Sequence, residues 1–182
     1  VRVGSNPSPK PSTMVSPDEP VHLVGVSKQW VSRAGAKLDG ALELFEVDVD
    51  GLRAIDVGAS TGGFTDCLLQ RGATEVTAMD VGYGQLHWRI RSDDRVRVIE
   101  RANVRTAPAE DLGAPFDLVV ADLSFISLAA VAKQLAALGT ETAIWILLIK
   151  PQFEAGKEHV DRGGIVRDLD ARAKAIESAL SA

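Results

Sequence analysis

The chain has little of what would place it in several large classes of protein. It contains a single cysteine, which excludes an intramolecular disulfide framework and any zinc site built from several cysteines. Its longest apolar run, residues 143–149, is far shorter than the roughly 20 residues that a membrane helix needs. The N-terminus shows no secretory pattern. These absences favour a soluble protein in a reducing, cytoplasmic setting.

Neither the histidines nor the net charge points to a metal site or to a nucleic-acid-binding surface. His22, His87 and His159 are scattered without ligand spacing, so no metal site is predicted. The formal net charge of −5 does not indicate nucleic-acid binding. Basic residues nevertheless concentrate in two segments, which contain Lys28, Arg33 and Lys37, and Arg89, Arg91, Arg95, Arg97, Arg101 and Arg105. Asp93, Asp94 and Glu100 interleave the second segment, so a local basic patch and an ordinary solvated surface both remain open.

Proline divides the N-terminal end from the rest of the chain. Five of the eight prolines fall within residues 1–20, which can therefore form neither a helix nor a central strand. We expect an extended linker or the frayed end of another unit there, with a short strand over residues 21–24. The 182 residues are 46% hydrophobic and 25% charged, which predicts one globular domain plus an appendage.

Apolar strand-like segments alternate with segments of helical periodicity along the remaining chain. Strands are predicted over residues 52–57, 75–80, 96–99, 116–121 and 143–149. Helices are predicted after Ser32, after the glycines at 62–63, over residues 127–138 with Gly139 ending the helix, and over residues 171–180. The last strand is apolar throughout, as expected of a strand covered on both faces. The alternation predicts an α/β fold whose mostly parallel sheet carries helices on both faces.

The stretch over residues 56–64 joins the first of these strands to a helix through a tight loop. Gly58, Gly62 and Gly63 permit backbone angles and close approach that a Cβ atom would forbid. The N-terminus of the following helix offers unpaired N–H groups and a partial positive charge. A strand, a glycine loop and a helix in this order predict a cradle for a nucleotide-containing cofactor.

Two cofactors with a ribose compete for this cradle. Asp80 ends the second strand 24 positions after Asp56 (80 − 56), where a carboxylate typically binds a ribose hydroxyl pair. A dinucleotide fingerprint requires Gly-x-Gly-x-x-Gly, but Ser60 stands where its second glycine belongs. The acidic Asp56 before the loop also suits an amine-bearing ligand better than a diphosphate. The sequence therefore favours S-adenosylmethionine over NAD.

Four long motifs, in this order, resemble those of the TlyA family. They are Asp-Val-Gly-Ala-Ser-Thr-Gly-Gly-Phe (56–64), Asp-Val-Gly-Tyr-Gly-Gln-Leu (80–86), Val-Ala-Asp-Leu-Ser-Phe-Ile-Ser (120–127) and Lys-Pro-Gln-Phe-Glu (150–154). Members of that family have been named hemolysins, and they are similar to FtsJ-type ribose 2′-O-methyltransferases of ribosomal RNA. The resemblance covers roughly residues 30–168.

This resemblance implies a fold and a division of the chain. The fold is the Rossmann-like fold of S-adenosylmethionine-dependent methyltransferases. Residues 1–27 are expected to be the remnant of an S4-like RNA-binding domain with its linker. Residues 28–182 are expected to form an FtsJ-like methyltransferase domain that lacks its C-terminal part, so the resemblance implies a chain truncated at both ends.

Methylation of a ribose hydroxyl requires a positioned oxygen and help in removing its proton. A lysine can act as the base only when the pKa of its ammonium is lowered, which burial or a second nearby cation would do. Lys37, Asp122 and Lys150 are the candidates, because two lysines beside one carboxylate satisfy this requirement. They match three members of the Lys-Asp-Lys-Glu tetrad of FtsJ-type enzymes, with Lys150 as the base. The glutamate is expected beyond Ala182, and neither Glu154 nor Glu158 is assigned that role.

The resemblance also implies which residues bind the cofactor. These are Asp56, Gly58, Ser60, Gly62, Gly63, Phe64, Asp80, Val81, Asn103 and Asp122. Asp80 is expected to bind the ribose, Asn103 to lie near the adenine, and Asp122 to lie near the methionine end. Simpler roles remain open for two of these residues: core packing for Phe64 and a turn for Asn103. For Lys37, the resemblance outweighs the simpler role of a stem lying along apolar surface.

Three functions are compared. The first is S-adenosylmethionine-dependent 2′-O-methylation of ribosomal RNA within ribosomal subunits, with cytidine as the usual target of the family. The alternative is a non-catalytic RNA-binding or ribosome-assembly module that retains the cofactor fold. A pore-forming hemolysin finds no support, because the chain has no long apolar or amphipathic segment.

Base N-methylation is disfavoured because Asp122-Leu123-Ser124-Phe125 replaces the Asn/Asp-Pro-Pro-aromatic tetrad that grips a flipped base.

Overall fold

Two short strands pair near the N-terminus. A computed structural model describes residues 2–4, 6, 10, 12–22 and 30–182 of the chain. Strand β1 (Arg2–Val3) runs antiparallel to β2 (Val21–His22). The strand predicted over residues 21–24 is thus found at Val21–His22, whereas residues 23–24 and Lys28 lie outside the described residues.

A five-stranded parallel sheet organises the rest of the chain. Its strands are β3 (Arg53–Val57), β4 (Glu75–Met79), β5 (Val96–Ile99), β6 (Phe116–Ala121) and β7 (Gly139–Leu147). Their spatial order is β5-β4-β3-β6-β7, and every neighbouring pair is parallel. The chain therefore changes direction across the sheet between β3 and β6. Ligands of open parallel sheets bind beyond the strand ends at such a point.

Helices cover both faces of this sheet, as the alternating pattern predicted. They are α1 (Ala34–Leu44), α2 (Gly63–Gln70), α3 (Trp88–Arg91), α4 (Ala109–Leu112), α5 (Ala132–Ala136), α6 (Pro151–Glu154) and α7 (Leu169–Leu180), with a 3₁₀ turn at Lys157–His159. Alternate residues of the strands enter two separate cores, because successive side chains point to opposite faces. Leu38 and Leu68 belong to one core, and Leu112 and Leu135 belong to the other. Within the described ranges, none of these helices has the length and apolarity needed to cross a bilayer.

Helix α1 packs against α2, and two polar contacts join α1 and the residues just before it to α2 and the residue that follows it. The Asp66 carboxylate accepts the backbone N–H of Val31 at 2.7 Å, and the Arg71 guanidinium binds Asp39 at 2.5 Å. Gly63 permits the close contact, because a Cβ atom there would collide with Ser32 and Ala34. These contacts hold the N-terminal end of α1 at the edge of the sheet where β3 ends.

Two expectations about the C-terminal half are wrong. The helix expected over residues 127–138 is regular only at Ala132–Ala136, and Gly139 begins β7 instead of ending a helix. The predicted apolar positions are nevertheless all buried: Leu128, Val131, Leu135 and Leu138. Their helical spacing therefore indicated a buried face, which is formed by turns and a short helix together. Strand β7 is an edge strand of the described sheet and is not covered on both faces, since Ile144 and Trp145 are each 38% exposed.

The contact between Gly63 and α1 yields a stability prediction. Gly63→Ala should lower the free energy of unfolding by about 1–3 kcal/mol, because the added methyl forces α1 away from α2. Gly40→Ala is the matched control, since a Cβ atom at this exposed position of α1 meets nothing within 4 Å. That variant should gain up to about 1 kcal/mol through helix propensity. Urea unfolding measures both, and equal effects would contradict the packing role of Gly63.

Candidate active site

The buried Asp56 carboxylate closes the loop between β3 and α2. Its Oδ2 atom accepts the backbone N–H of Thr65 at 3.0 Å and the Thr65 hydroxyl at 2.7 Å. An N–H group in the first turn of α2 is therefore already bound by the protein. The expectation that this helix terminus presents its unpaired N–H groups to a ligand is wrong for Thr65.

The other oxygen of Asp56 has an unusual environment. Asp56 is 1% exposed, and its Oδ1 atom has no hydrogen-bond partner within the described part of the chain. Burial raises the pKa of this carboxyl to about 7 against the lowering effect of the Thr65 hydrogen bonds, with a further upward contribution from the charges of Asp122 and Asp80. Asp56 is thus close to half protonated at neutral pH, and a cationic group placed beside Oδ1 would favour its ionised form.

Gly62 and Gly63 were predicted to contact the cofactor. In the structure, the side of each residue where a Cβ atom would stand packs against other parts of the protein. A Cβ atom on Gly62 would lie 2.8 Å from the Leu86 side chain, and one on Gly63 would meet Ser32 and Ala34. Gly62 also has a φ of +91°, a value that favours glycine. Neither residue lines the cavities described below. Their geometric role is to bring the loop and α2 against the neighbouring chain.

A large cavity of about 530 Å³ opens beyond the ends of the central strands. Six of the predicted cofactor residues line it: Gly58, Ser60, Asp80, Val81, Asn103 and Asp122. Asp80 connects two of its loops, because its carboxylate accepts the N–H of Ser60 at 2.8 Å and that of Gly82 at 2.7 Å. The volume lies within the usual range for small-molecule sites.

Asn103 and Phe64 each have a role in the fold and also line a cavity. The Asn103 side-chain oxygen accepts the backbone N–H of Arg105 at 3.0 Å, which makes Asn103 a turn residue as well as part of the large cavity. Phe64 is 5% exposed and belongs to the core beneath α1 and α2, yet it borders a smaller cavity. The simpler roles considered for these residues are therefore present in the structure.

A small cavity of about 190 Å³ adjoins the large one and contains the three candidate catalytic residues. Lys37 Nζ lies 3.1 Å from Asp122 Oδ2, and Lys150 Nζ lies 2.5 Å from Asp122 Oδ1. The Lys37 side chain is 51% exposed, whereas that of Lys150 is 18% exposed. Burial acts to raise the pKa of Asp122, but the hydrogen bonds and charges of Lys150 and Lys37 outweigh it and hold this pKa below its usual value. The structure thus brings one ionised carboxylate between two lysines.

Two further residues at this site escaped the sequence interpretation. Ser124 Oγ lies 2.8 Å from Lys150 Nζ. Phe125 has a φ of +66° and is 91% exposed, and its ring lies 5.3 Å from that of Phe153. Both belong to the motif over residues 120–127, which the sequence interpretation used for the family resemblance and to disfavour base methylation, without giving Ser124 or Phe125 a role. Their position just after a central strand was the signal that could have identified them.

Glu154, which lies near Lys150 in the sequence, and several arginines already make contacts within the protein. Glu154 accepts the backbone N–H of Leu128 at 2.7 Å, which accords with leaving Glu154 outside the catalytic set. Four arginines of the predicted basic segment also have internal contacts: Arg91 with Glu100, Arg95 with Asp93, Arg97 with the Asp111 carbonyl, and Arg101 over the Tyr83 ring. These four favour an ordinary charged surface. Arg105 instead lines the large cavity, and Arg33 lies with Lys37 along an open groove.

The environment of Asp56 yields a prediction about pH. Between pH 4 and 7 the unfolded chain loses the Asp56 proton while the folded protein keeps it, so the free energy of unfolding falls as pH rises. Asp56→Asn removes this dependence. The stability of the variant relative to the unsubstituted protein should therefore increase by up to about 4 kcal/mol from pH 4 to 7. Urea unfolding across this interval tests the prediction, and parallel pH profiles for the two proteins would contradict it.

Comparisons with known proteins agree with this geometry. The rRNA (cytidine-2′-O)-methyltransferase TlyA of Mycobacterium tuberculosis, which is named for both 16S and 23S rRNA, is 51% identical over 177 residues, covering 97% of this chain and 66% of that protein. A structure described as a hemolysin from Lactococcus lactis is 44% identical, with a TM-score of 0.82 over 85% of this chain and 74% of that one. This chain thus spans about two thirds of the length of its curated relative.

More distant structures show the same fold. A structure described as an S-adenosylmethionine-dependent methyltransferase from Listeria monocytogenes matches with a TM-score of 0.57 at 15% identity, over 81% of this chain and 80% of that one. The predicted α/β fold of this class of enzymes is therefore confirmed. Residues 30–182, which include the parallel sheet and both cavities, match the FtsJ-like methyltransferase family. The chain belongs to the FtsJ-like methyltransferase family.

Proposed function

We propose that the protein transfers a methyl group from S-adenosylmethionine to a ribose 2′-hydroxyl of ribosomal RNA. The observation that carries this proposal is the placement of Lys37 and Lys150 on opposite oxygens of Asp122, beside a cavity of cofactor size. The relative from Mycobacterium tuberculosis, which is named for this reaction on cytidine, supports the same activity and the same target nucleotide here.

The residues around the large cavity fit S-adenosylmethionine. Asp80 places a carboxylate at the end of β4, where it can accept hydrogen bonds from the two ribose hydroxyls. Asp56 borders the small cavity, and its unpartnered Oδ1 suits the ammonium of the methionine portion. Gly58, Ser60, Val81 and Asn103 complete the wall. When bound, this cofactor supplies a methyl group attached to a positively charged sulfur.

The lysine pair supplies the proton chemistry. We assign Lys150 as the base that takes the proton of the ribose hydroxyl, because its side chain is the less exposed of the two and lines the small cavity. Asp122 orients this amine, and Lys37 provides the second cation on the other carboxylate oxygen. Holding the hydroxyl, the amine and the methyl group in line supplies a large part of the rate enhancement by proximity and orientation.

RNA can approach the lysines from the open side of the small cavity. Arg33 and Lys37 line a groove of about 560 Å³, which offers two cations to backbone phosphates. The exposed ring of Phe125, which lines the large cavity next to Ser124, provides a face on which an unpaired base can stack. We further propose that residues 1–27 are part of an S4-like RNA-binding unit and its linker, that residues 28–182 form the catalytic domain, and that the protein acts on ribosomal subunits in the cytoplasm.

The catalytic assignment is tested by transfer of labelled methyl groups to ribosomal subunits by the protein in its natural full length. Lys150→Ala should reduce the rate by at least about 100-fold, because proton removal of this kind typically contributes 10²–10⁴-fold. Its affinity for S-adenosylmethionine should change little. Lys133→Ala is the matched control, since this exposed lysine on α5 lies outside both cavities. Nuclease digestion of the RNA should locate the label on a ribose 2′-oxygen.

Two results would contradict this assignment in different ways. Full transfer by Lys150→Ala would remove Lys150 as the base while leaving the reaction itself intact. No transfer by the unsubstituted protein to either ribosomal subunit, despite cofactor binding, would instead favour a non-catalytic RNA-binding module.

The cofactor assignment is tested by calorimetry. S-adenosylmethionine should bind more tightly than NAD, and Asp80→Asn should weaken its binding by roughly 10- to 100-fold through loss of charged hydrogen bonds to the ribose. Asp94→Asn is the control, because Asp94 is exposed and lies outside both cavities. Tighter binding of NAD, or an Asp80→Asn variant with unchanged affinity, would overturn the assignment.

A further inference from the structure

Among the described residues, the hydrogen bonds of the Lys150 amine are all to Asp122 and Ser124, which directly follow β6. Its three possible acceptors are Asp122 Oδ1 at 2.5 Å, Ser124 Oγ at 2.8 Å and the Asp122 backbone carbonyl at 3.5 Å. The third contact is at the outer limit of a hydrogen bond. The orientation of the amine therefore depends mainly on one carboxylate oxygen and one hydroxyl.

Lys37 is not oriented in this way. Its hydrogen bond is to Asp122 Oδ2 at 3.1 Å, and its side chain is 51% exposed. A single acceptor leaves the amine free to rotate about its bond to the side chain. Both lysines bind the same carboxylate, but Lys150 has further neighbours in Ser124, the Asp122 carbonyl and the Phe153 ring, and Ser124 makes the shortest of these contacts.

The Ser124 hydroxyl has no competing structural partner. Across residues 30–182, the hydrogen bond that it makes is the one with Lys150, and it caps neither a turn nor a helix. Ser124 also lines both cavities, so it stands where a cofactor methyl group and a substrate hydroxyl would meet. Ser127, three residues later, shows the ordinary local role of a serine here, because its hydroxyl accepts the backbone N–H of Ala130 at 3.2 Å.

We propose that Ser124 is a positioning residue that directs the amine of Lys150 toward the substrate hydroxyl. This inference rests on the function proposed above. A neutral lysine amine has two N–H groups and one lone pair. With its N–H groups donated to Asp122 Oδ1 and Ser124 Oγ, the lone pair takes the remaining direction and accepts the hydroxyl proton. A third N–H bond forms as the O–H bond breaks, and the resulting ammonium keeps both earlier hydrogen bonds.

The first test compares variants of Ser124 in the full-length protein. Ser124→Ala should lower the single-turnover rate of methyl transfer on the order of 10-fold or more, by loss of one hydrogen bond that orients the amine and strengthens as the amine becomes an ammonium. Its dissociation constant for S-adenosylmethionine should stay within about twofold of the unsubstituted value. Ser124→Thr keeps the hydroxyl and should restore most of the rate. Ser92→Ala serves as the control, because Ser92 is exposed and lies outside both cavities.

The second test asks whether Ser124 acts through Lys150. In a Lys150→Ala background, Ser124→Ala should cause no further loss, because the group that it positions is absent. An additional loss of the same size would mean that Ser124 contacts the substrate directly and would overturn the proposal. Weaker cofactor binding by Ser124→Ala, or failure of Ser124→Thr to restore the rate, would also overturn it.

The outcomes separate this proposal from the proposed reaction. If Lys150→Ala loses activity and Ser124→Ala does not, methyl transfer with Lys150 as base stands and the role of Ser124 fails alone. If the unsubstituted protein transfers no methyl group, both fail together. Unfolding measurements on Ser124→Ala should match the unsubstituted protein, since the hydroxyl is exposed and bonded only to a side chain at the site.

Discussion

One carboxylate shared by two lysines is the interaction on which the site depends. Lys37 comes from α1, Asp122 follows β6, and Lys150 follows β7, so three separate elements must meet at one edge of the sheet. Two ammonium groups repel each other at this range unless an anion lies between them. Asp122 supplies that anion and stays ionised, because the lysines lower its pKa more than its burial raises it. The docking of α1 through Asp66 and Gly63 is therefore part of the site, although neither residue touches the lysines.

Two aspartates on neighbouring strands illustrate how the surroundings decide chemistry. The sheet register pairs Asp56 with Val120 and Val57 with Ala121, so Asp122 stands one position beyond the paired strands and close to the loop that follows β3. Asp56 is buried with Thr65 as its hydrogen-bond donor, and burial raises the pKa of its carboxyl to about 7. Asp122 is partly open and paired with two cations, so its pKa falls. Two carboxyls of the same type, near each other, thus have opposite tendencies to carry charge.

Local patterns predicted the central strands well and the outer parts less well. The buried strands β4 and β6 appear within one residue of the predicted bounds, because side chains covered on two faces leave a clear apolar pattern. The edge strand β5 is also found at its predicted residues. Residues 143–149 have the same apolar character, yet β7 lies at the sheet edge and begins at Gly139. Composition alone cannot distinguish these positions, because the neighbours of a strand are set by distant parts of the chain. The helical spacing from Leu128 to Leu138 likewise marked a buried face and not a continuous helix.

The sequence by itself determined the alternating α/β order, the glycine loop after the first sheet strand, and the types of residue at each strand end. These are local features, because spacing and residue type along a few turns of chain are enough to specify them. The tertiary structure brings Lys37, Asp122 and Lys150 together, as the family resemblance implied. Only the tertiary structure decided that Gly62 and Gly63 face protein and that Ser124 binds one lysine and not the other. Those outcomes depend on the order β5-β4-β3-β6-β7 and on the packing of α1 against α2, which join residues far apart in the chain.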